Sequence, residues 1–127
     1  MSHQTKNKFG KEIDIRYGAD LSFEDMSEMS LCRAPLAESD MRFTNLSKSN
    51  LWGSSLMKTN LRCANLRGTD FTDADLTGAD LRGADITNSR FLQANITGIK
   101  IYREDLSYII KECMARIEGI NIKDEPI

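Results

Sequence analysis

Carboxylates are concentrated in one short stretch of the sequence, TDFTDADLTGADLRGADITNS, which runs from residue 69 to residue 89. Five aspartates fall in this stretch, namely Asp70, Asp73, Asp75, Asp80 and Asp85. Clustered carboxylates could hold a metal ion or exchange protons in acid–base catalysis. Either chemistry requires that the aspartates converge on one site and have neighbours that alter their pKa values. The elements that carry them therefore have to be established first.

Other residue types that commonly perform catalysis are sparse. His3 is the only histidine, and it lies in a polar segment where a solvated side chain is expected. Cys32, Cys63 and Cys113 are widely and irregularly spaced, which indicates reduced thiols rather than disulfides or a zinc site. The sequence has no glycine-rich phosphate-binding motif. We therefore predict a protein that is not an enzyme and has no cofactor, metal site or small-molecule substrate.

Composition argues against several further classes of protein. The 127 residues include 17 bases and 19 acids, a net charge of −2, so direct nucleic-acid binding is not expected. No apolar run approaches the roughly 18 residues that a membrane-spanning helix needs. The polar N-terminus lacks the apolar core of a signal peptide. These features predict a single-domain cytoplasmic protein without a membrane segment.

The aspartate-rich stretch belongs to a much longer repeat of five residues. Every fifth residue from Leu21 to Ile101 is large and apolar, which gives 17 such centres in succession. The residue two before the centre is Ala, Ser or Thr in 14 of the 17 cases, and the residue just before it is Asp or Asn in 12. The centres are Leu21, Met26, Leu31, Leu36, Met41, Leu46, Leu51, Leu56, Leu61, Leu66, Phe71, Leu76, Leu81, Ile86, Phe91, Ile96 and Ile101.

A period of five fits neither a helix nor a flat strand. Five residues rotate a helix by about 500°, so the apolar positions would wander around it. In a strand, an odd period would place successive centres on opposite faces. The repeat instead predicts a coil that turns one corner every five residues, with the large and small positions inside. Most of the aspartates then occupy a turn position, and Asp73, at a free outward position, is the exception.

The segments ADLTG, ADLRG, ANLRG and ANITG match the motif A(D/N)LXX, so the chain resembles the pentapeptide-repeat family. The resemblance covers residues 19–103. It implies a mainly β fold, a right-handed quadrilateral β-helix with four pentapeptides in each coil and about four coils in all. Glu24, Met29 and Pro35 depart from the motif, which predicts an irregular first coil.

Both ends of such a solenoid need caps, because its core is exposed there. Residues 1–18 are predicted to form a tail and a short cap strand, since Ile13, Ile15 and Tyr17 alternate with polar residues. Residues 104–127 are predicted to form a helix and a tail.

The C-terminal capping helix is predicted over residues 105–118, because apolar residues there fall at helical spacing, with acids at the start and bases toward the end. Tyr108 and Met114 lie outside its main apolar stripe and are candidate homodimerisation residues. The alternative is that the helix serves only as a cap. The tail at 121–127 carries no recognisable signal.

Residues that are four pentapeptides apart would stack on one side of the predicted coil. Arg42, Arg62 and Arg82 form one such column beside a second column of mostly acidic residues. That pair of columns is either a solvated ladder of ion pairs or a contact for an anionic partner. The second column consists of Asp20, Asp40, Asn60 and Asp80.

Apolar residues also occupy outward positions. Trp52 and Leu92 share a column, and Met57 lies on the adjacent side. Such residues are enriched at interfaces, so they are candidate partner-binding residues unless the N-terminal segment folds over Trp52. Phe23 and Phe43 form a further aligned pair, to which the same two interpretations apply.

The function that we predict is a non-enzymatic protein-interaction module, which binds a macromolecular partner through the faces of the β-helix. The resemblance extends distantly to the Qnr and MfpA branch of the family, which implies an alternative, a DNA mimic that inhibits or protects DNA gyrase. Residues 19–103 contain 11 acids and 10 bases, and both this balance and the short rod argue against mimicry. A second alternative is a phage or bacterial defence or counter-defence factor.

Overall fold

The backbone is a solenoid whose successive turns stack on one another. The computed structural model describes residues 3–113 and 121–123. Parallel bridges join each pentapeptide to the fourth one after it, from Asp20 with Asp40 to Asp80 with Lys100, and they recur at every repeat. One turn of the solenoid, called a level below, therefore consists of four pentapeptides that form four sides and four corners.

The pentapeptide at residues 59–63 shows how the backbone is paired. The amide of Asn60 donates to the carbonyl of Ser39 in the level below at 3.0 Å, and the amide of Leu61 donates to the carbonyl of Asp80 in the level above at 2.8 Å. The amide of Ala64 closes the corner by donating to the carbonyl of Leu61 at 3.1 Å. Each repeat thus satisfies its backbone polar groups through the levels above and below and through its own corner.

Every corner contains one residue in the left-handed region of backbone conformation. The second residue after each centre has a positive φ, from Phe23 at 64° to Gly98 at 69°. Eleven of these corner residues are not glycine. An L-residue adopts this conformation at a cost of about 1–2 kcal/mol. The hydrogen-bonded ladder on either side of each corner must outweigh that cost.

The 17 apolar centres form a continuous core, and none of them is more than 6% exposed. The rings of Phe71 and Phe91 lie one above the other, with centroids 5.0 Å apart and planes inclined by 13°. The small positions alternate with these large ones. Several polar small positions bond to the backbone, as the hydroxyl of Thr69 does by donating to the carbonyl of Leu46 at 2.7 Å, whereas the buried hydroxyl of Ser54 has no hydrogen-bond partner among the described residues. The interior is therefore filled by side chains.

The strand predicted at Ile13, Ile15 and Tyr17 is not formed, so that prediction was wrong. The solenoid begins earlier than the apolar centres suggest. The amide of Gly18 donates to the carbonyl of Ala37 in the level above at 2.9 Å, and Gly18 has a φ of 71°. These are the features of a solenoid corner, and a corner at 16–19 interrupts the alternation that a strand would need.

A short antiparallel contact replaces the predicted strand. Lys6 and Glu12 form a bridge, and Ile13, which is 3% exposed, joins the core. The amide of Gln4 donates to the carbonyl of Ser30 at 2.7 Å, and the Gln4 side chain accepts from the amide of Ser30 at 3.0 Å. Backbone groups at the lower edge of the first level are thereby paired with the N-terminal segment.

The C-terminal part contains strand β1 at Lys100–Tyr102, helix α1 at Arg103–Cys113 and strand β2 at Asn121–Lys123. The helix begins two residues before the predicted start at 105, and the predicted portion at 114–118 lies outside the described residues. Ile109 of the helix is fully buried in the core. The helix therefore packs against the last level.

Strand β2 was not predicted. It pairs in parallel with β1, with Lys100 opposite Asn121 and Ile101 opposite Ile122, so its register is one residue longer than that of the solenoid levels. A signal was present in the sequence, because Asn121 followed by Ile122 repeats the order of Asn and a large apolar centre found in the solenoid. The intervening helix interrupts the five-residue register, so Asn121 and Ile122 do not fall at the positions that the repeat predicts.

We expect Gly53→Ala to lower the free energy of unfolding by about 1 kcal/mol, because an L-residue is strained in the left-handed region. The new methyl group would lie 3.5 Å from Cγ of Arg33, an ordinary contact, so crowding is not the cause. The reverse change at an equivalent corner, Lys58→Gly, should not lower the free energy of unfolding. Chemical denaturation of both variants measures this, and an equal loss of stability in both would contradict the assignment of strain.

Candidate functional site

The arginine column is the first of the predicted surfaces, and its three members differ. Arg42 forms a bidentate ion pair with Asp40, with nitrogen–oxygen distances of 2.9 and 2.6 Å. Arg82 forms the same pair with Asp80 at the same distances. In the level between, Arg62 lies beside Asn60, which has no carboxylate, and within the described part of the chain Arg62 forms no ion pair. The ladder is therefore complete at two levels and open at the third.

The upper pair, Asp80 with Arg82, is more buried than the lower pair and therefore constrains its side chains more strongly. The side chains of Asp80 and Arg82 are 14% and 23% exposed, against 31% and 50% for Asp40 and Arg42. Desolvation by itself would raise the pKa of Asp80, but the hydrogen bonds and charge of Arg82, together with the charge of Arg62, lower that pKa below its ordinary value. The Asp80 carboxylate is thus held ionised by its neighbours.

The aspartates that suggested chemistry have a structural role at the corners. Oδ1 of Asp75 accepts the amide of Thr77 at 3.0 Å and also its hydroxyl at 2.5 Å. The hydroxyl of Thr87 hydrogen-bonds to Asp85 in the same way, and this bond is the main reason that the pKa of Asp85 is lowered. These carboxylates are spaced evenly along the solenoid and do not converge on one site, so their arrangement favours turn formation over catalysis.

Trp52, Met57 and Leu92 occupy the outward positions that the sequence predicts. Trp52 is half-buried, with the guanidinium carbon of Arg33 4.9 Å from its ring centroid. Leu92 is 49% exposed and lies two levels above Trp52, and Met57 is 38% exposed at the next corner. The three side chains therefore form a broken apolar surface rather than a single cluster.

The described part of the N-terminal segment contacts a different part of the rod and does not fold over Trp52. The side-chain amide of Asn7 donates to the carbonyl of Asp25 at 3.0 Å, and Lys8 pairs with Glu28 at 3.1 Å. A cation of the solenoid itself covers Trp52 instead, and the interpretation that this segment folds over Trp52 is not supported.

The candidate dimerisation residues lie at the upper end of the molecule. The hydroxyl of Tyr108 donates to the carbonyl of Ser89 at 2.8 Å, and its half-buried ring packs against the core. Met114 lies outside the described residues. A depression of about 270 Å³ lies between the helix and the last level, where burial, with the charges of Glu104 and Asp85, raises the pKa of Asp105.

Phe23 and Phe43 are the largest exposed apolar pair on the rod. Their side chains are 74% and 53% exposed, and their rings stack with centroids 5.1 Å apart and planes inclined by 8°. Cys63 continues their column in the level above. The sequence register predicted the alignment of this pair, but not that both rings would remain uncovered.

The charges are arranged in bands along the rod. Residues 20–40 contain six acids and one base, whereas residues 41–69 contain five bases and no acid. Residues 70–85 contain five acids and one base. Because four pentapeptides make one level, the basic segment encircles the middle of the rod and separates two acidic zones.

Comparison with protein-family models places this sequence in a known family. The model described as pentapeptide repeats matches eight copies, over residues 17–53, 54–91 and 64–100. The chain belongs to the pentapeptide-repeat family. A similar solved structure is that of a pentapeptide-repeat protein as well, and the solenoid of this pentapeptide-repeat protein is a right-handed β-helix. Among curated protein sequences, none matches it significantly.

Three solved structures illustrate the relationship. HetL from the cyanobacterium Nostoc sp. strain PCC 7120 is 27% identical, with 68% of this chain and 35% of HetL covered and a TM-score of 0.51. A pentapeptide-repeat protein from the Arabidopsis thaliana thylakoid lumen is 31% identical, with 75% and 77% covered and a TM-score of 0.32. A trypsin-treated form of QnrB1, a plasmid-mediated fluoroquinolone resistance protein, is 16% identical, with 94% and 70% covered and a TM-score of 0.44.

This pentapeptide-repeat protein spans about a third of the length of HetL. Within the described residues, no helix has the length and apolar character that crossing a bilayer requires.

We expect Asp80→Asn to lower the free energy of unfolding at pH 7 by about 1 kcal/mol, because a charge-assisted pair with Arg82 is lost. The folded-state pKa of Asp80 is lowered, so its contribution is present above the unfolded pKa of about 3.9 and is lost as the pH falls through the folded value. Thermal unfolding should show that the stability difference between the wild type and Asp80→Asn is smaller at acid pH than at pH 7.

Asn60→Asp is the matched control, since it adds a carboxylate beside Arg62 in the same level. It should raise stability at pH 7 and lose that advantage in acid. A pH-independent effect of Asp80→Asn would show that shape, rather than charge, determines the contribution of this position.

Proposed function

We propose that this protein is a non-enzymatic protein-interaction module that binds a protein partner through the outward positions of its β-helix. The observation that carries the proposal is apolar surface on the outside of a rod whose interior is filled. Met57 and Leu92 are 38% and 49% exposed at positions where the fold requires no apolar residue. Methionine is one of the residue types that are enriched at protein interfaces relative to the rest of the surface.

The surroundings of Trp52 support this choice of surface. Its ring is covered on one side by Arg33, and a depression of about 250 Å³ lined by Thr72 and Leu92 lies above it. Tryptophan and arginine are the residue types that most often dominate binding energy at protein interfaces. A partner side chain that displaced water from this depression would contact Leu92 on one side and approach Trp52 from above.

The relationship to HetL agrees with an interaction role. HetL is described as involved in the regulation of heterocyst differentiation, which is a regulatory rather than a catalytic description. We also propose that the N-terminal segment and helix α1 act as caps. The buried Ile13 and Ile109 at the two ends support this proposal.

DNA mimicry is the alternative, and the charge bands argue against it. Duplex DNA presents regularly spaced negative charge along its whole length. Here the five bases between residues 41 and 69 interrupt the acidic surface in the middle of the rod. A gyrase supercoiling assay distinguishes the two: inhibition or protection at micromolar concentration of this protein would favour mimicry over the interaction module proposed here.

We expect the double variant Trp52→Ala with Leu92→Lys to lose its protein partner, with at least a roughly tenfold fall in captured material, because a buried anchor is truncated and a charge is introduced. Affinity purification from the native host with quantitative mass spectrometry measures this. Asn88→Lys, at an exposed corner elsewhere on the rod, is the matched control and should capture the same proteins as the wild type. An unchanged set of proteins with the double variant would refute the proposed surface.

A further inference from the structure

A polar depression of about 310 Å³ lies along one corner of the rod and shares no lining residue with the depression above Trp52. It extends over three levels, because Lys48, Gly68 and Asn88 are successive members of one corner column. Two of the residues that line it are bases and none is an acid. The lining residues are Ser47, Lys48, Asn65, Arg67, Gly68 and Asn88.

Lys48 extends from the lower end of this depression toward the level above. Its stem lies beside Gly68, where an added methyl group would be 3.5 Å from Cγ of Lys48. The acid directly beneath it in the corner column, Glu28, is occupied by an ion pair with Lys8 at 3.1 Å. Among the described residues the ammonium group of Lys48 has neither an ion pair nor a hydrogen bond, so its charge is available to a ligand.

Arg67 is the second base, and one end of its guanidinium is fixed by an ion pair. Nη1 donates to Oδ2 of Asp85 in the level above at 3.1 Å, while Nε and Nη2 have no partner within the part of the chain that the structure describes. Oδ1 of Asp85 accepts the amide and the hydroxyl of Thr87 at 3.1 and 2.6 Å. Asp85 therefore uses both oxygens within the chain, and it orients Arg67 without lining the depression.

Neutral amides stand on this side of the rod where other levels have acids. The position just before the centre is aspartate in the first and fourth levels of this side, and it is Asn45 and Asn65 in the two levels between. Oδ1 of Asn65 accepts the amide of Arg67 at 3.1 Å, which is the corner hydrogen bond that an aspartate would make. Asparagine thus keeps the corner and removes a negative charge beside two cations. The Nδ2 group of Asn65, like the side-chain amide of Asn88, has no partner among the residues described.

We propose that this depression binds a phosphate group, either free or carried by a small molecule. Arg67 provides a planar fork that matches two phosphate oxygens, and Lys48 provides a compact positive charge. The side chains of Ser47, Asn65 and Asn88 can each add a donor. Five donor groups suit phosphate better than a carboxylate, because phosphate presents at least three acceptor oxygens instead of two. The depression has the volume of roughly ten water molecules, which leaves room for the organic part of a phosphate monoester.

A second corner of the same rod provides a comparison for this site. Lys58 also lies beside a glycine of the next level, Gly78, where an added methyl group would be 3.3 Å from Cγ of Lys58. The side above Lys58 carries Asp75 and Thr77 in place of Asn65 and Arg67, and the Asp75 carboxylate accepts from Thr77. A lysine beside a glycine is therefore common to both corners, whereas the neutral amide and the second base occur only in the depression.

NMR titration of the isotope-labelled protein with inorganic phosphate at constant ionic strength tests the proposal. The backbone amide signals of Lys48, Arg67 and Gly68 should shift and saturate with a dissociation constant on the order of 1 mM, because the site is open to solvent. Glycerol phosphate, a phosphate monoester, is the second probe. Tighter binding of this monoester would identify an organic phosphate as the ligand, and tighter binding of inorganic phosphate would identify the free ion.

Three variants should weaken phosphate binding by roughly fivefold or more, because each reduces the attraction between the site and an anion. Lys48→Gln and Arg67→Gln each remove one base. Asn65→Asp is nearly isosteric, keeps the acceptor for the Arg67 amide and adds a carboxylate. Lys58→Gln is the matched control and should bind phosphate like the wild type. Thermal unfolding establishes that each variant is folded, and Arg67→Lys replaces Arg67→Gln if the latter is not.

Three results would overturn the proposal. Sodium chloride at the same ionic strength might reproduce the shifts, which would then report screening alone. Acetate that binds as tightly as phosphate would favour a carboxylate-bearing partner instead. Phosphate binding that all three variants leave unchanged would exclude this depression as the site.

This inference goes beyond the proposed function, because Trp52 and Leu92 do not line the depression. The double variant Trp52→Ala with Leu92→Lys should therefore lose its protein partner and still bind phosphate, so the two proposals can fail separately.

Discussion

The parallel pairing of each pentapeptide with the fourth one after it is the constraint on which the whole structure depends. Each level can pair with the next only if the chain returns to the same place after four corners. The left-handed residue at each corner, even where it is Phe, Lys or Glu, is a consequence of this requirement. The alternation of large and small inward positions is a second consequence, because levels paired at strand spacing leave room for only one bulky side chain per repeat.

That constraint also decides what the acidic residues do. An Asp or Asn just before the centre can accept the amide two residues later, which stabilises the corner. Most of the aspartates between residues 70 and 85 occupy this position. Hydrogen bonds from Arg82 lower the pKa of Asp80 in spite of its burial, and the hydroxyl of Thr87 lowers that of Asp85. The same carboxylates would suggest catalysis in an irregular fold, whereas here the regular ladder separates them.

The outward positions that the repeat does not constrain are arranged in columns, so a substitution at one of them changes the environment of the residues above and below it. Asn60 in place of an aspartate leaves Arg62 open while Arg42 and Arg82 are paired. The stem of Arg33 lies next to Gly53 in the level above, and its guanidinium covers Trp52. A solenoid thus allows its surface to vary almost independently of its core.

The sequence by itself determined the five-residue period, the core positions and the columns of the surface, because a regular solenoid reduces three-dimensional neighbours to a fixed spacing along the chain. It failed at the ends, where that spacing no longer holds. The corner at Gly18 interrupts the expected strand, and helix α1 shifts the register of β2 by one residue. Only the tertiary structure decided which arginines are paired, that Phe23 and Phe43 stack uncovered, and that Arg33 covers Trp52. Those outcomes depend on side-chain reach and rotamer between levels, which the period of the sequence does not encode.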